Sequence, residues 1–426
     1  MASPQLTPTT IEPSESGSVS YLRCAPSKAS GLATGLLNLF LRIRNDGPRP
    51  VTVNKIVLRI GGALSAVKTL DVDFTVGAAA AVSWVQPEDF VFTPLRGLSL
   101  RIEISAAGFS EPDVTTSPLV AHENPTASNS YRFWAETRDL RAGEFWHVHG
   151  FSHGQTKEQS FAYDVGVNVV GGNGLLPGKD GTDVTHFRVW GKPIYAIAAG
   201  TVRHARNDFP TNETFGDVSP AIQDLINSLG DGNGNFVTIA TGDETVLYAH
   251  LQPGTVAMAP GGAVEAGDFL GLAGHSGAAS HPHLHIGAVR TNAGPQSWAD
   301  HGRPMRFHHA HAVAWAEITG KTADAPWVNV DGRGLPTADC AVWPSDRAPL
   351  RFPDIEEEVA IDPLALLLRH DVYVKLTLPD PPPPEVLREQ VRRLARQMSP
   401  AERRRVAKSL NEFAASVEIL KKELGG

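Results

Sequence analysis

Apolar and polar residues alternate in short runs along most of the first 350 positions. Leu37, Leu39, Leu41 and Ile43 alternate with Asn38, Phe40, Arg42 and Arg44. That period of two marks a strand with one buried face. Asn45-Asp46-Gly47-Pro48 reads as a turn, after which Val51, Val53, Ile56, Leu58 and Ile60 carry the pattern on. Leu98, Leu100, Ile102 and Ile104 predict a further strand. Strands about ten residues apart and joined by turn residues predict an immunoglobulin-like sandwich over residues 31–125. It carries no catalytic constellation and reads as a spacer.

Residues 126–350 continue in strands. Phe236–Ala240 and Thr245–Leu251 flank Thr241-Gly242-Asp243-Glu244, a hairpin pattern. The stretch Ile194 to Val202 is apolar, and Val264 to Gly271 reads as a turn entering a strand. One helix interrupts them: Ser219 is its cap, Pro220 fits the first helical position, and Gly230 ends it. Ile222, Leu225, Ile226 and Leu229 form its apolar side.

The two ends differ in pattern. Residues 1–30, rich in Ser, Thr and Pro, read as a flexible lead-in without the basic and apolar segments of a secretion signal. The expected location is therefore the cytoplasm, or outside the cell by a route needing no cleavable signal. Residues 351–383 read as a linker with a proline-rich end. From 384 to 426, Leu387, Val391, Leu394 and Met398, then Val406, Leu410, Phe413, Val417, Leu420 and Leu424, recur at steps of three and four. Ser399-Pro400-Ala401-Glu402 is a capping box between the two runs. The tail predicts a helical hairpin that either packs on its own chain or mediates docking or dimerisation. The fold class expected for the chain is mainly β with this α-helical tail.

Composition narrows the function. No apolar run reaches the roughly 18 residues of a membrane span, so no integral membrane segment is expected. A net charge of -8 argues against a protein that coats nucleic acid. Two cysteines, Cys24 and Cys340, cannot build a disulfide framework or a zinc ribbon. Of 16 histidines, 14 lie between His147 and His311. Histidine is the commonest metal ligand and a frequent acid or base, so this segment is where chemistry is expected.

Within it, Pro282-His283-Leu284-His285 has strand character, which puts His283 and His285 on one face and Leu284 toward the core. Tyr248-Ala249-His250-Leu251 ends a strand, with Tyr248 and His250 expected on a common face. Ser152-His153 precedes Phe161-Ala162-Tyr163-Asp164. Two imidazoles and a carboxylate would leave a tetrahedral zinc one open position, the catalytic pattern rather than the structural one. His308-His309-Ala310-His311 reads as a loop, and Trp134, Trp146 and Trp190 as core or groove wall.

The ordered series is more specific than any one piece. It runs Ser152-His153, Tyr163-Asp164, Gly191-Lys192-Pro193, Ala199-Gly200-Thr201-Val202, Gly234-Asn235-Phe236-Val237, Leu247-Tyr248-Ala249-His250, Gly267-Asp268, Gly274-His275-Ser276-Gly277 and Pro282-His283-Leu284-His285. Over about residues 147–290 it resembles the lysostaphin-type (LytM-like) zinc metalloendopeptidases, whose antiparallel β fold is the duplicated hybrid motif. The resemblance implies His153, Asp164 and His285 as zinc ligands and His250 and His283 as the catalytic histidines beside them. It implies hydrolysis of peptide bonds, with peptidoglycan cross-links as substrate.

Three features depart from the usual pattern. His153 and Asp164 stand eleven residues apart instead of four, so His149 and His147 remain alternatives for the first ligand. Insertions at 167–190 and 207–232 read as groove walls. His275 and His281 occupy places where other residues are common in the family. A non-catalytic binding or scaffold protein on the same fold, or a delivered cell-wall effector, is the alternative function.

Overall fold

The computed structural model describes residues 6–12, 19–26, 32–64, 66–87, 89–149, 157–291, 302–318, 325–336 and 339–349. Residues 1–351 form one compact unit. The linker expected at 351–383 and the helical hairpin at 384–426 lie outside the described residues.

Near the amino end, two sheets enclose an apolar core. One joins Leu6–Glu12, Phe40–Asn45 and Ala80–Val85; the other has six strands, the longest being Val51–Leu64 and Phe90–Ala106. Leu41 and Ile43 from the first sheet meet Ile56, Leu58, Leu100 and Ile102 from the second, as the alternation predicts. The expected lead-in is corrected in part: Leu6–Glu12 and Val19–Arg23 are strands. Val19 and Tyr21 bury themselves in the sandwich, an apolar commitment hidden by the Ser/Thr/Pro composition around it. Nor is the sandwich insulated from the second core of the chain. Leu22, Cys24 and Leu36 belong to that larger core, and Cys24 bridges Gly334.

The second core lines one side of an eleven-stranded antiparallel sheet. Its main strands are β1 (Glu144–His149), β2 (Tyr163–Val169), β3 (Gly200–Arg206), β4 (Asn235–Thr241), β5 (Glu244–Leu251), β6 (Leu284–Arg290), β7 (His311–Ala314) and β8 (Asp339–Trp343). They lie in the order β3-β4-β5-β6-β2-β1-β8-β7. The predicted hairpin is β4–β5, turning at Gly242-Asp243. The helix α1, Pro220–Leu229, has its predicted ends: the Ser219 hydroxyl accepts from the Ile222 amide, and Gly230 closes it at φ 72°. The apolar stretch from Ile194 divides into Pro193–Tyr195 and β3.

Alternation makes the two faces of the sheet chemically different. Trp146 and Val148, Tyr163, Val165 and Val167, Val246 and Tyr248, Leu284 and Ile286, and Cys340 and Val342 all enter the second core. The residues between them, including His147, His149, Asp164, His285 and Asp339, take the other face. Buried ion pairs fix the flanks. Glu144 receives hydrogen bonds from Arg188 at 3.0 Å and Lys192 at 2.8 Å, which holds the 167–190 insertion to β1. Glu244 is bonded to His122, Asn124 and Tyr131. The two cysteines are free and buried; burial pushes the Cys24 thiol up to about 12, so both are packing groups.

Leu284 is fully buried between His283 and His285. Leu284→Ala should therefore cost about 2–5 kcal/mol in urea unfolding. A loss under about 1 kcal/mol would contradict the packing that sets this face.

Candidate metal centre

Adjacent strands present one row of side chains. In β5, β6, β2, β1 and β8 the register pairs Ala249 with His285, His285 with Asp164, Asp164 with His149, and His149 with Asp339. Neighbouring strands are about 4.8 Å apart, so a continuous stripe of imidazole and carboxylate groups crosses the sheet from β6 to β8.

Asp164 is the hub of the β2–β6 part. Its Oδ1 lies 2.9 Å from His285 Nδ1 and 3.4 Å from His283 Nε2. His283 precedes β6 and shares the face of His285, as the spacing predicts. Its Nδ1 is 2.7 Å from the His281 carbonyl. A carbonyl only accepts, so Nδ1 carries a proton, and in the neutral ring Nε2 is a lone pair.

His250 completes this group by a different route from the one alternation predicts. Tyr248 points into the core, where its hydroxyl accepts from the Ile197 amide at 2.8 Å. Simple alternation would send His250 there too. Instead β5 carries an extra residue opposite the Asn235–Val237 step, and His250 takes φ 64°. That bulge turns its ring to 4.7 Å from the His283 ring and 5.9 Å from the His285 ring, centroid to centroid. The expectation that Tyr248 and His250 share a face is thus corrected, while the expected neighbourhood of His250 is reached. Bulges and left-handed non-glycine residues are common devices for aiming a functional side chain. The His250 Nδ1 donates to the Ser276 carbonyl at 2.8 Å, so its Nε2 is also a lone pair.

His153 lies outside the described residues. The alternatives named for its place are both on β1. His149 stands opposite Asp164, but its ligand atom groups with those of His147 and Asp339, all within 4.8 Å of one another. Asp339 and the stacking partner of His147, Trp315, had no signal in the sequence. Their distance along the chain from His147 hides a contact that only strand pairing creates.

The two insertions meet through their aromatic rings. Phe187 from one and Phe215 from the other stack at 5.4 Å. Phe215 in turn stacks on His275 at 5.4 Å, and both phenylalanines lie near His281. His275 is a buried structural residue whose Nε2 donates to the Ala279 carbonyl at 3.0 Å. The histidine tract is likewise tied down, with His309 on Asp346 and His311 on the Ser345 carbonyl.

Several of these imidazoles are held neutral. Burial, followed by the nearby His283 and His285, lowers the His250 pKa well below the usual imidazole range. Burial lowers that of His275 as well. A neutral native histidine takes up its proton only on unfolding, so its contribution to stability is intact above about pH 6.5 and is lost as pH falls below it. Metal-stripped protein should therefore melt at a lower temperature at pH 5.5 than at pH 7.5. Each such buried histidine contributes up to about 1.4 kcal/mol per pH unit to this loss. A melting temperature that rises on acidification would contradict it.

Comparison with known proteins places part of this region in a known family. The sequence model of peptidase family M23 matches residues 178–297, which include His250, His283 and His285. No curated protein matches the chain. Among solved structures, the catalytic domain of the prophage-encoded M23 protein EnpA from Enterococcus faecalis is similar at 16% identity, over 40% of this chain and 94% of that one, with a TM-score of 0.23. The catalytic domain of lysostaphin from Staphylococcus simulans is similar at 20% identity, over 31% of this chain and 86% of that one, with a TM-score of 0.19. A zinc-containing peptidase from Vibrio cholerae is similar at 11% identity, over 63% and 81%, with a TM-score of 0.21. Through residues 178–297 the chain carries a segment of peptidase family M23, the lysostaphin-type family that its motifs resemble.

Proposed function

We propose that the chain is a zinc-dependent endopeptidase that hydrolyses peptide bonds, with peptidoglycan cross-links as its substrate class. The observation that supports this most is the convergence of Asp164, His283, His285 and His250, from β2, the start of β6 and the bulge of β5, on the polar face of one sheet. The donor set fits zinc: one carboxylate oxygen stands 2.9 Å from an imidazole nitrogen, both on a strand pair that orders them. Asp164 and His285 would hold the ion together with His153. Zinc held there supplies Lewis acidity that polarises a carbonyl and acidifies water.

The chain's own groups account for the proton movements. His250 and His283 both carry Nδ1–H on backbone carbonyls and present Nε2 as an acceptor. One takes the proton of the attacking water at Nε2, becomes a donor, and passes the proton to the leaving amine. The other, seated a few ångströms away, positions the water and hydrogen-bonds the developing oxyanion, a role typically worth about 3–4 kcal/mol. Asp164, next to His283, stabilises an imidazolium there. The Phe187–Phe215 wall offers apolar surface for substrate beside this centre. The sandwich, read as immunoglobulin-like, serves as a spacer.

Two substitutions test the reading. His285→Ala should lower zinc content by one ion per chain and abolish peptidase activity on peptidoglycan and glycine-rich peptides. His283→Ala should keep that zinc and slow turnover at least about 100-fold. Full activity in either variant would reject the assignment, and absence of any hydrolysis by the zinc-loaded wild type would leave a binding protein on the same fold.

A further inference from the structure

We infer that His147, His149 and Asp339 form a second divalent-metal site, on the β1–β8 side of the stripe and separate from the Asp164–His285 centre. This site stands independently of the peptidase reading. Its residues lie outside the segment that matches the peptidase family, and Asp339 comes from the far end of the compact unit.

The geometry is that of a prepared donor set. The ligand atoms of the three residues lie within 4.8 Å of one another. His147 Nε2 is 2.6 Å from Asp339 Oδ1, and the His147 and His149 rings are 3.8 Å apart. His147 and His149 are two residues apart on one strand, while His149 and Asp339 are direct partners across β1 and β8. Strand geometry therefore holds all three donors on one face.

Two further features favour a prepared site. His147 is 6% exposed, so packing limits its ring to one position. Trp315 stacks on the His147 ring at 4.1 Å and 22°, which fixes the imidazole before any ion arrives.

The donors also select the ion. Two imidazoles and one carboxylate suit zinc and its borderline neighbours, not magnesium or calcium, which take oxygen ligands. His149 and Asp339 are exposed, so an ion reaches the site directly from solvent. The ion would clip β8, a strand contributed from beyond the family segment, to β1.

The test uses the full chain and Zn2+ alone. Equilibrium dialysis at micromolar zinc, followed by elemental analysis, should find two ions per wild-type chain. Asp339→Asn and His147→Gln should each lose one, and Asp164→Asn should lose the other. Asp339 has a side chain 56% exposed, so its variant keeps the fold even where the buried His147 variant does not. Zinc should also raise the melting temperature of Asp164→Asn, and should no longer do so in the double variant Asp164→Asn/Asp339→Asn. Wild-type zinc content that Asp339→Asn leaves unchanged overturns the proposal. So does a second ion that survives Asp339→Asn or disappears with His308→Ala/His309→Ala, or a single ion lost in every variant. If Asp164→Asn keeps both ions while Asp339→Asn loses one, the second site stands and the zinc assignment behind the peptidase reading fails.

Discussion

Strand register is the constraint on which everything at the site depends. Asp164 meets His285 because the pairing of β2 with β6 sets Tyr163 against Ile286 and Val165 against Leu284. Those four apolar side chains are fully buried, and each contributes about 1.5–3 kcal/mol by leaving water. A slip of one residue would turn all of them outward and send Asp164 and His285 into the core. The polar face is thus positioned by the apolar one. No strong attraction between the polar side chains is needed to bring them together.

His250 shows where that device is insufficient. Strict alternation puts Tyr248 in the core and would take His250 with it. The extra residue in β5 and the left-handed backbone at His250 break the period at one position. A non-glycine residue held at φ 64° is costly in isolation. It persists because Tyr248 is anchored on one side by Ile197 and the His250 ring on the other by the Ser276 carbonyl. The same carbonyl bond selects the tautomer, so the strain and the chemistry have one cause.

The sequence makes legible what is local. The α1 cap, the β4–β5 hairpin, the Leu98–Ile104 alternation and the common face of His283 and His285 all follow from spacing within a few residues. Long-range contacts are different in kind. Nothing near Asp339 distinguishes it from other surface carboxylates, and it meets His147 only because β8 pairs with β1 across 192 positions. Val19–Arg23 is hidden for a related reason. Its composition is that of a loose segment, and its strand character comes from partners at Asp113–Ala121 and Gly35–Leu37. The bulge at His250 leaves no mark in the sequence either, since a pattern of alternation does not reveal where it will be broken.

The sheet extends beyond the family segment on the side of β1, β8 and β7, and that extension changes the electrostatics of its neighbour. With β8 in place, His147 and His149 face a carboxylate instead of solvent, and the imidazole-rich stripe is bounded by Asp164 on one side and Asp339 on the other. Two carboxylates separated by histidines on one sheet face raise the local affinity for cations as a whole. An ion at one end would repel an ion at the other while their spacing stays near two strand widths, about 10 Å. At that distance, with His149 and Asp339 exposed at one end, water and salt partly screen the repulsion. Occupation of one end is therefore compatible with occupation of the other, and the β8 extension can act on the site through structure rather than by competing for its ion.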